Sequence, residues 1–195
     1  MPSCGLDMPN YRRAYSPGGT FFFTLVTYKR RPVFSDPVAI KLLGTVFREA
    51  KLKWPMTVNA IVLLPDHLHM ICTLPSGDGE YSKRIGWIKK EFSQRWLACS
   101  GKGSTISPSK QRERRLGVWQ PRFWEHTIEE DGDFDNHFDY VHWNPTKHGY
   151  VKSPKDWPHS SFHRWVSAGV YPVDWGRSST NPPQSVRAIN DAGEP

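Results

Sequence analysis

The order of patterned segments predicts an α+β domain: a ferredoxin-like split βαβ antiparallel sheet with helices on one face, an added helix, and an aromatic-rich C-terminal tail. Three observations carry the prediction. Runs rich in Val, Ile, Thr and Phe alternate with segments whose apolar residues recur at helical spacing, in the order strand, helix, strand, strand, helix, strand. The turn Pro65-Asp66 separates two extended runs closely enough to make a hairpin. A further helical pattern, 131–143, follows the fourth strand and is dense in His, Tyr and Asn.

Each element has its own local signal. Gly18-Gly19 precedes residues 20–28, whose Phe, Thr, Val and Tyr content reads as a buried strand. Ser35-Asp36-Pro37 supplies a cap and a first-turn proline, and Val38, Leu42, Leu43, Val46 and Phe47 continue a helix to about Lys53, where Trp54-Pro55 breaks it. Residues 57–64 and 67–74 are the hairpin strands. Ile85, Trp87, Ile88, Phe92 and Trp96 mark an amphipathic helix over 81–99 with its cations outward. Residues 100–117 hold only Ile106 and Leu116 as large aliphatics, a composition that reads as a mobile basic loop. The fourth strand centres on 123–127, after Pro121. The helix over 131–143 places acids in its first turn, where the macrodipole favours them, and Pro145 is expected to end it.

The 195 residues, 37% of them hydrophobic, suit one domain with appendages and exclude a multidomain assembly. The expected organisation is a disordered 1–10, a catalytic domain over 11–149, a docked extension over 150–176 and a disordered tail over 177–195. Met8 is an alternative start to Met1, because patterned sequence begins at Tyr11. No run reaches membrane-span length and no secretory signal is visible, so the expected compartment is the cytoplasm. Cys4, Cys72 and Cys99, odd in number and without a C-x-x-C pair, argue against a disulfide framework.

The formal charge of +7 is segregated. Residues 81–122 carry eleven Lys and Arg against Glu91 and Glu113, whereas residues 125–139 carry seven acids and no Lys or Arg. A basic block interleaved with Trp and Tyr suits a nucleic acid, because cations take the phosphates and rings take the bases, although a solvated basic face has the same composition.

Two constellations can do chemistry. His67 and His69 sit at i and i+2 on an extended segment, so both imidazoles leave one face and can share a metal ion; a chance histidine pair on a strand has the same pattern. Tyr140 and Asn144 sit at i and i+4 on a helix, with His137 one turn earlier. A tyrosine, with an unperturbed pKa of about 10, is a weak nucleophile and needs a cation to polarise the phosphate it attacks. Taken singly, Tyr140 is more commonly an ordinary half-buried helix tyrosine and Asn144 is equally a helix C-terminal residue, while His126 and His137 are either additional polar groups in the site or, more commonly, core or surface histidines.

Leu64-Pro65-Asp66-His67-Leu68-His69, Trp119-Gln120-Pro121-Arg122-Phe123-Trp124-Glu125-His126 and Asp139-Tyr140 to Asn144-Pro145 with Lys147-His148-Gly149 resemble the REP-associated tyrosine transposases of the HUH superfamily. Tyr11-Arg12-Arg13 and Gly18-Gly19-Thr20 extend the resemblance, which runs from Tyr11 to Trp175. It implies that His67, His69 and Asn144 hold a divalent metal, Mg²⁺ or Mn²⁺. It further implies that Tyr140 attacks a DNA phosphate to give a 5′-phosphotyrosine and a free 3′-OH, and that the substrate is a repetitive extragenic palindrome hairpin with an adjacent single-stranded tetranucleotide. The phosphotyrosine conserves the phosphodiester energy, so no nucleotide cofactor is expected, in line with the lack of a G-x-x-x-x-G-K-[ST] loop. One chain can supply the whole site, so a monomer suffices, while insertion-sequence relatives exchange helices as dimers.

The expected DNA contacts are Arg12, Arg13, Lys29, Arg30 and Arg31 at the ends of the first strand, Lys89 and Lys90, and Arg122 beside Trp119, a ring for stacking on an unpaired base. Two other classes stay open: a structured DNA- or RNA-binding protein that does not cleave, and a metal phosphoesterase acting through water. The second is disfavoured because no Asp or Glu completes a recognised ligand run beside His67 and His69.

Overall fold

The computed structural model describes residues 16–100, 117–177, 183–187 and 189. Among these, β1 (Thr20–Val26), α1 (Pro37–Lys53), β2 (Thr57–Leu63), β3 (His67–Thr73), α2 (Tyr81–Ser100) and β4 (Trp124–Ile128) form the split βαβ unit. The sheet order is β2-β3-β1-β4 and every neighbouring pair is antiparallel. α3 (Asp131–Lys147) follows, then the shorter α4 (Phe162–Ser167) and α5 (Gln184–Arg187). No helix among the described residues is long and apolar enough to cross a membrane.

Period-two alternation on the central strands builds two cores. Phe21, Phe23 and Leu25 of β1 and Leu68, Met70 and Cys72 of β3 face α1 and α2. Phe22 and Ile71 face the other way and pack with Phe138, Tyr140 and Val141 of α3. The added helix therefore roofs the sheet face opposite the two helices of the split unit. α1 begins where the sequence signals a cap: Asp36 accepts a hydrogen bond from the Val38 amide at 2.9 Å and Pro37 opens the first turn.

Three expectations need correction. α3 does not stop before Pro145 but continues to Lys147. A proline so near the end forfeits one i−4 bond, and the buried ring together with the His148 amide bonding back to the Asn144 carbonyl at 3.0 Å keeps the last turn helical. Not all α2 cations face outward: Arg84 is 1% exposed, with its guanidinium on the Asp78 carboxylate and the Pro55 carbonyl, so it ties the 76–80 loop to the sheet end. The tail expected to be disordered from 177 includes α5, whose Val186 is buried against α3 and whose Ser185 hydroxyl donates to Asp139. One apolar anchor and one polar contact dock that turn. The basic loop expected over 100–117 lies outside the described residues except at its two ends, as does the N-terminal segment 1–10.

Residues 157–165 run along β2. Trp157 Nε1 donates to the Leu63 carbonyl, the Leu63 amide to the His159 carbonyl, the Ile61 amide to Ser161 Oγ, and Trp165 Nε1 and Arg164 to the Asn59 carbonyl. His142, fully buried on the far side of α3, meets Ser161 Oγ through Nε2 at 2.8 Å and the Tyr171 hydroxyl through Nδ1 at 3.3 Å. Burial, aided by the charge of Arg164, holds the His142 imidazole well below the usual histidine value of 6.5, to about 3, against a backbone hydrogen bond that raises it. Between those two values the unfolded chain binds a proton that the native state does not, so stability is present above pH 6.5 and lost as the pH falls. The loss on going from pH 6.5 to 5 is ~2 kcal/mol. Chemical denaturation of His142→Gln should show a drop between pH 7 and 5 that is smaller than the wild-type drop by about that amount.

Candidate active site

β3 and α3 bring the two constellations together. His67 and His69 are fully buried on the α3 face of the sheet, with ring centroids 5.0 Å apart. Tyr140, 3% exposed, stands edge-on to His69 with centroids 5.4 Å apart. Two turns later, the His148 ring lies 5.2 Å from that of His67. α3 thus runs antiparallel to β3, and Asn144, fully buried and one turn from both Tyr140 and His148, occupies the intervening stretch of the same helix face. The phenol and the imidazole pair share one side of the sheet within one chain.

The histidines are held by fixed partners. His69 Nδ1 is 2.8 Å from Thr24 Oγ1 of the adjacent β1 strand, and His67 Nδ1 is 2.6 Å from Asp66 Oδ1. Asp66 is itself gripped by Arg30, whose Nη1 donates to Oδ2 at 2.9 Å. Burial alone would raise the Asp66 pKa, but the hydrogen bond from His67 and the guanidinium of Arg30 outweigh it and hold the carboxyl below its ordinary value. Both rings are oriented through Nδ1, which makes Nε2 the nitrogen for a ligand role.

Sequence spacing did not single out Lys147, which the structure sets on Tyr140. Its ammonium donates to the Tyr140 hydroxyl at 2.8 Å and lies 4.7 Å from the ring centroid. It is exposed while Tyr140 is buried, so a solvent-facing ammonium caps the enclosed phenol. His148 was missed as well. Both follow from helix arithmetic, since 140, 144, 147 and 148 fall on one face once the helix is known to pass Pro145.

The family profile described as "Transposase IS200 like" matches residues 19–144. A curated Escherichia coli K12 protein named REP-associated tyrosine transposase is 41% identical over 174 residues, covering 89% of this chain and 94% of the relative. The chain belongs to the REP-associated tyrosine transposases of the IS200-like family. A Haemophilus influenzae protein provisionally given the same name is 41% identical over 169 residues, covering 87% of this transposase and 94% of the relative. A solved structure described as a REP-associated tyrosine transposase bound to a REP hairpin superposes with a TM-score of 0.74 at 40% identity, covering 89% of this chain and 94% of that one.

The α+β architecture is that of the family. This transposase is an enzyme of a metal-dependent class, and the donor set fits a divalent cation. The two imidazoles lie side by side in an enclosed site with a partner orienting each ring, and Asn144 is buried on the helix face that covers them.

The expected DNA-contact residues of the transposase fare unequally. Lys29 and Arg122 are exposed and line an open cleft of about 520 Å³ together with Tyr28, Gln120 and Pro121. The cleft opens at the end of β1 where Val26 pairs with His67. Lys29 and Arg30 adopt left-handed backbone, with φ of 56° and 50°, a conformation that costs a non-glycine residue roughly 1–2 kcal/mol and that holds this basic turn in one shape. Arg30 is partly committed to Asp66, and Arg31 is half-buried. Lys89 donates to the Gln120 and Pro121 carbonyls, which makes it a brace for the cleft wall. Lys90 is exposed on α2, across the sheet from Tyr140. Trp119 is a correction: at 8% exposure it packs on Phe34 and Phe92 in the core under α1 and α2, so its ring is not offered to a base. Arg12 and Arg13 lie outside the described residues.

Proposed function

We propose that this transposase cleaves and rejoins single-stranded DNA beside REP-type hairpins, with Tyr140 as nucleophile and His67, His69 and Asn144 as ligands of a divalent metal. The observation that carries the reading is the Tyr140 ring set edge-on to His69, with His67 alongside. A bound ion would polarise the scissile phosphate and offset charge that develops there. The chain's own residues do the rest. Tyr140 Oη forms a bond to phosphorus as the bond to the 3′ oxygen breaks, leaving a 5′-phosphotyrosine and a free 3′-OH that takes up a proton. The Lys147 ammonium, donating to Oη, stabilises the oxygen as it loses its own proton. Reversal by another 3′-OH rejoins DNA with no nucleotide cofactor, because one phosphodiester replaces another.

The hairpin-bound relative supports the choice of substrate. The cleft between Lys29 and Arg122 is where phosphates of the strand leaving the hairpin would be gripped. All the site residues come from one chain, which favours a monomer as the active unit.

Incubating the protein with a hairpin oligonucleotide that bears a 5′ single-stranded extension should give a covalent adduct and a fragment ending in 3′-OH. Two imidazoles are softer ligands than Mg²⁺ prefers, so Mn²⁺ should give the faster reaction. A gel shift without adduct across several divalent metals would leave a binding protein only, and nicking without attached protein would indicate hydrolysis by water.

Asp66→Asn keeps the shape that orients His67 but removes the charge. Loss of such a backing partner typically costs about 10–100-fold in metal affinity. Calorimetric titration with Mn²⁺ should show a loss in that range, and an unchanged affinity would mean that His67 is not a ligand.

A further inference from the structure

A second group of donor atoms lies beyond the Tyr140 site. His126 of β4 pairs across the sheet with Phe22 of β1, so both side chains point toward α3. Asp133 and His137, four residues apart on α3, point back. His126 Nε2 is 2.8 Å from Asp133 Oδ2, and His137 Nδ1 is 2.9 Å from Asp133 Oδ1 and 2.9 Å from the Asp133 carbonyl. One donor atom from each residue lies within 4.8 Å of the other two. The two imidazoles stack with centroids 4.7 Å apart and planes 19° apart.

That arrangement suits one shared cation better than two protonated rings. Imidazoliums at this separation repel each other, and a single carboxylate offering one oxygen to each ring is the set that surrounds a common positive charge. His137 is enclosed, with 5% of its side chain exposed, whereas His126 and Asp133 are 37% and 28% exposed, so an ion could enter from that side.

We propose that His126, Asp133 and His137 form a second cation site, for a zinc-class first-row transition ion, separate from the one assigned to the histidine pair of β3. Two imidazole nitrogens and one carboxylate are the donor set that Zn²⁺ accepts while leaving a coordination position to solvent. The Phe22 ring divides the two sites: its centroid is 4.8 Å from that of His137 and 5.5 Å from that of His69. The ion would clamp the first half of α3 to β4, one turn before Tyr140. This inference goes beyond the function proposed above and does not depend on it.

The test is Zn²⁺ binding by the metal-free full chain, measured by equilibrium dialysis, with thermal unfolding as a second readout. His126→Ala, a change at a partly exposed position, should lose one equivalent relative to wild type and lose the Zn²⁺-induced rise in Tm contributed by that site. The double variant His67→Ala, His69→Ala should retain that equivalent and that rise. If His126→Ala binds as many equivalents as wild type, with undiminished affinity, the proposal is overturned. If the double variant is folded by circular dichroism and binds no Zn²⁺, it is likewise overturned. Failure of the histidine pair on β3 to bind metal would show as no loss of equivalents in the double variant, which leaves the His126 result to be read independently.

Discussion

Tyr140→Phe removes the covalent protein–DNA adduct down to background and leaves hairpin affinity unchanged. The phenyl ring keeps its packing, edge-on to His69 and to Phe22 at centroid distances of 5.4 Å and 6.0 Å, and the Lys147 ammonium still has a ring face 4.7 Å away. Oη goes, and with it the hydrogen bond from Lys147. A hydrogen bond to a charged donor is worth about 1.5–3 kcal/mol, and the exposure of Lys147 reduces that, so the variant stays folded. DNA binding is assigned to the basic turn and cleft at the end of β1, none of which the substitution touches. Denaturing electrophoresis of labelled hairpin reads the adduct, and a gel shift reads affinity. An adduct formed by the Phe variant would mean that another residue is the nucleophile.

Lys147→Met slows adduct formation by about 10²–10³-fold, the range for removing one preorganised donor from a developing oxyanion. Methionine keeps much of the aliphatic stem that covers the phenol but supplies no hydrogen bond. The ammonium cannot serve as a base while it is charged; its contribution is to favour the phenolate form of Tyr140 over the phenol as Oη approaches phosphorus. The deficit should therefore shrink as the pH rises, because solvent hydroxide takes the proton without that help, and Lys147→Arg should restore much of the rate. A uniform deficit at every pH, or an equal loss of hairpin affinity, would make Lys147 a phosphate contact on the DNA instead. Single-turnover rates from pH 6 to 10 separate these cases.

Local chemistry made most of the fold legible. The Phe21-Phe22-Phe23 run, the Asp36-Pro37 helix start and the Pro65-Asp66 turn each specify their element within a few residues. The alternation of His67 and His69 with Leu68 and Met70 also placed both imidazoles on one sheet face before any packing was known. Closure over long separations was not legible. Trp119 has the composition of a stacking residue, yet Phe34 and Phe92, distant in sequence, take both its surroundings and its exposure. Arg84 reads as one more cation on a basic helix until the Asp78 loop folds onto it. His126 and His137 read singly as core or surface histidines, because packing of α3 on β4, which spacing does not reveal, sets their rings 4.7 Å apart. Lys147 and His148 were hidden by a local rule applied too strictly, that proline terminates a helix, when one missing hydrogen bond in the last turn is a small loss.

The chain that follows α3 also has a consequence for how copies of this protein can meet. β2 borders the sheet, and a bare border strand is a template for pairing with a second molecule. Here the amide of Ile61, the amide and carbonyl of Leu63 and the carbonyl of Asn59 are already spent on the segment around residues 157–165. Strand-to-strand polymerisation through that border is blocked by the protein's own sequence. A version cut short after Gly149 would bare it, and light scattering should then find clumping where the intact chain stays dispersed.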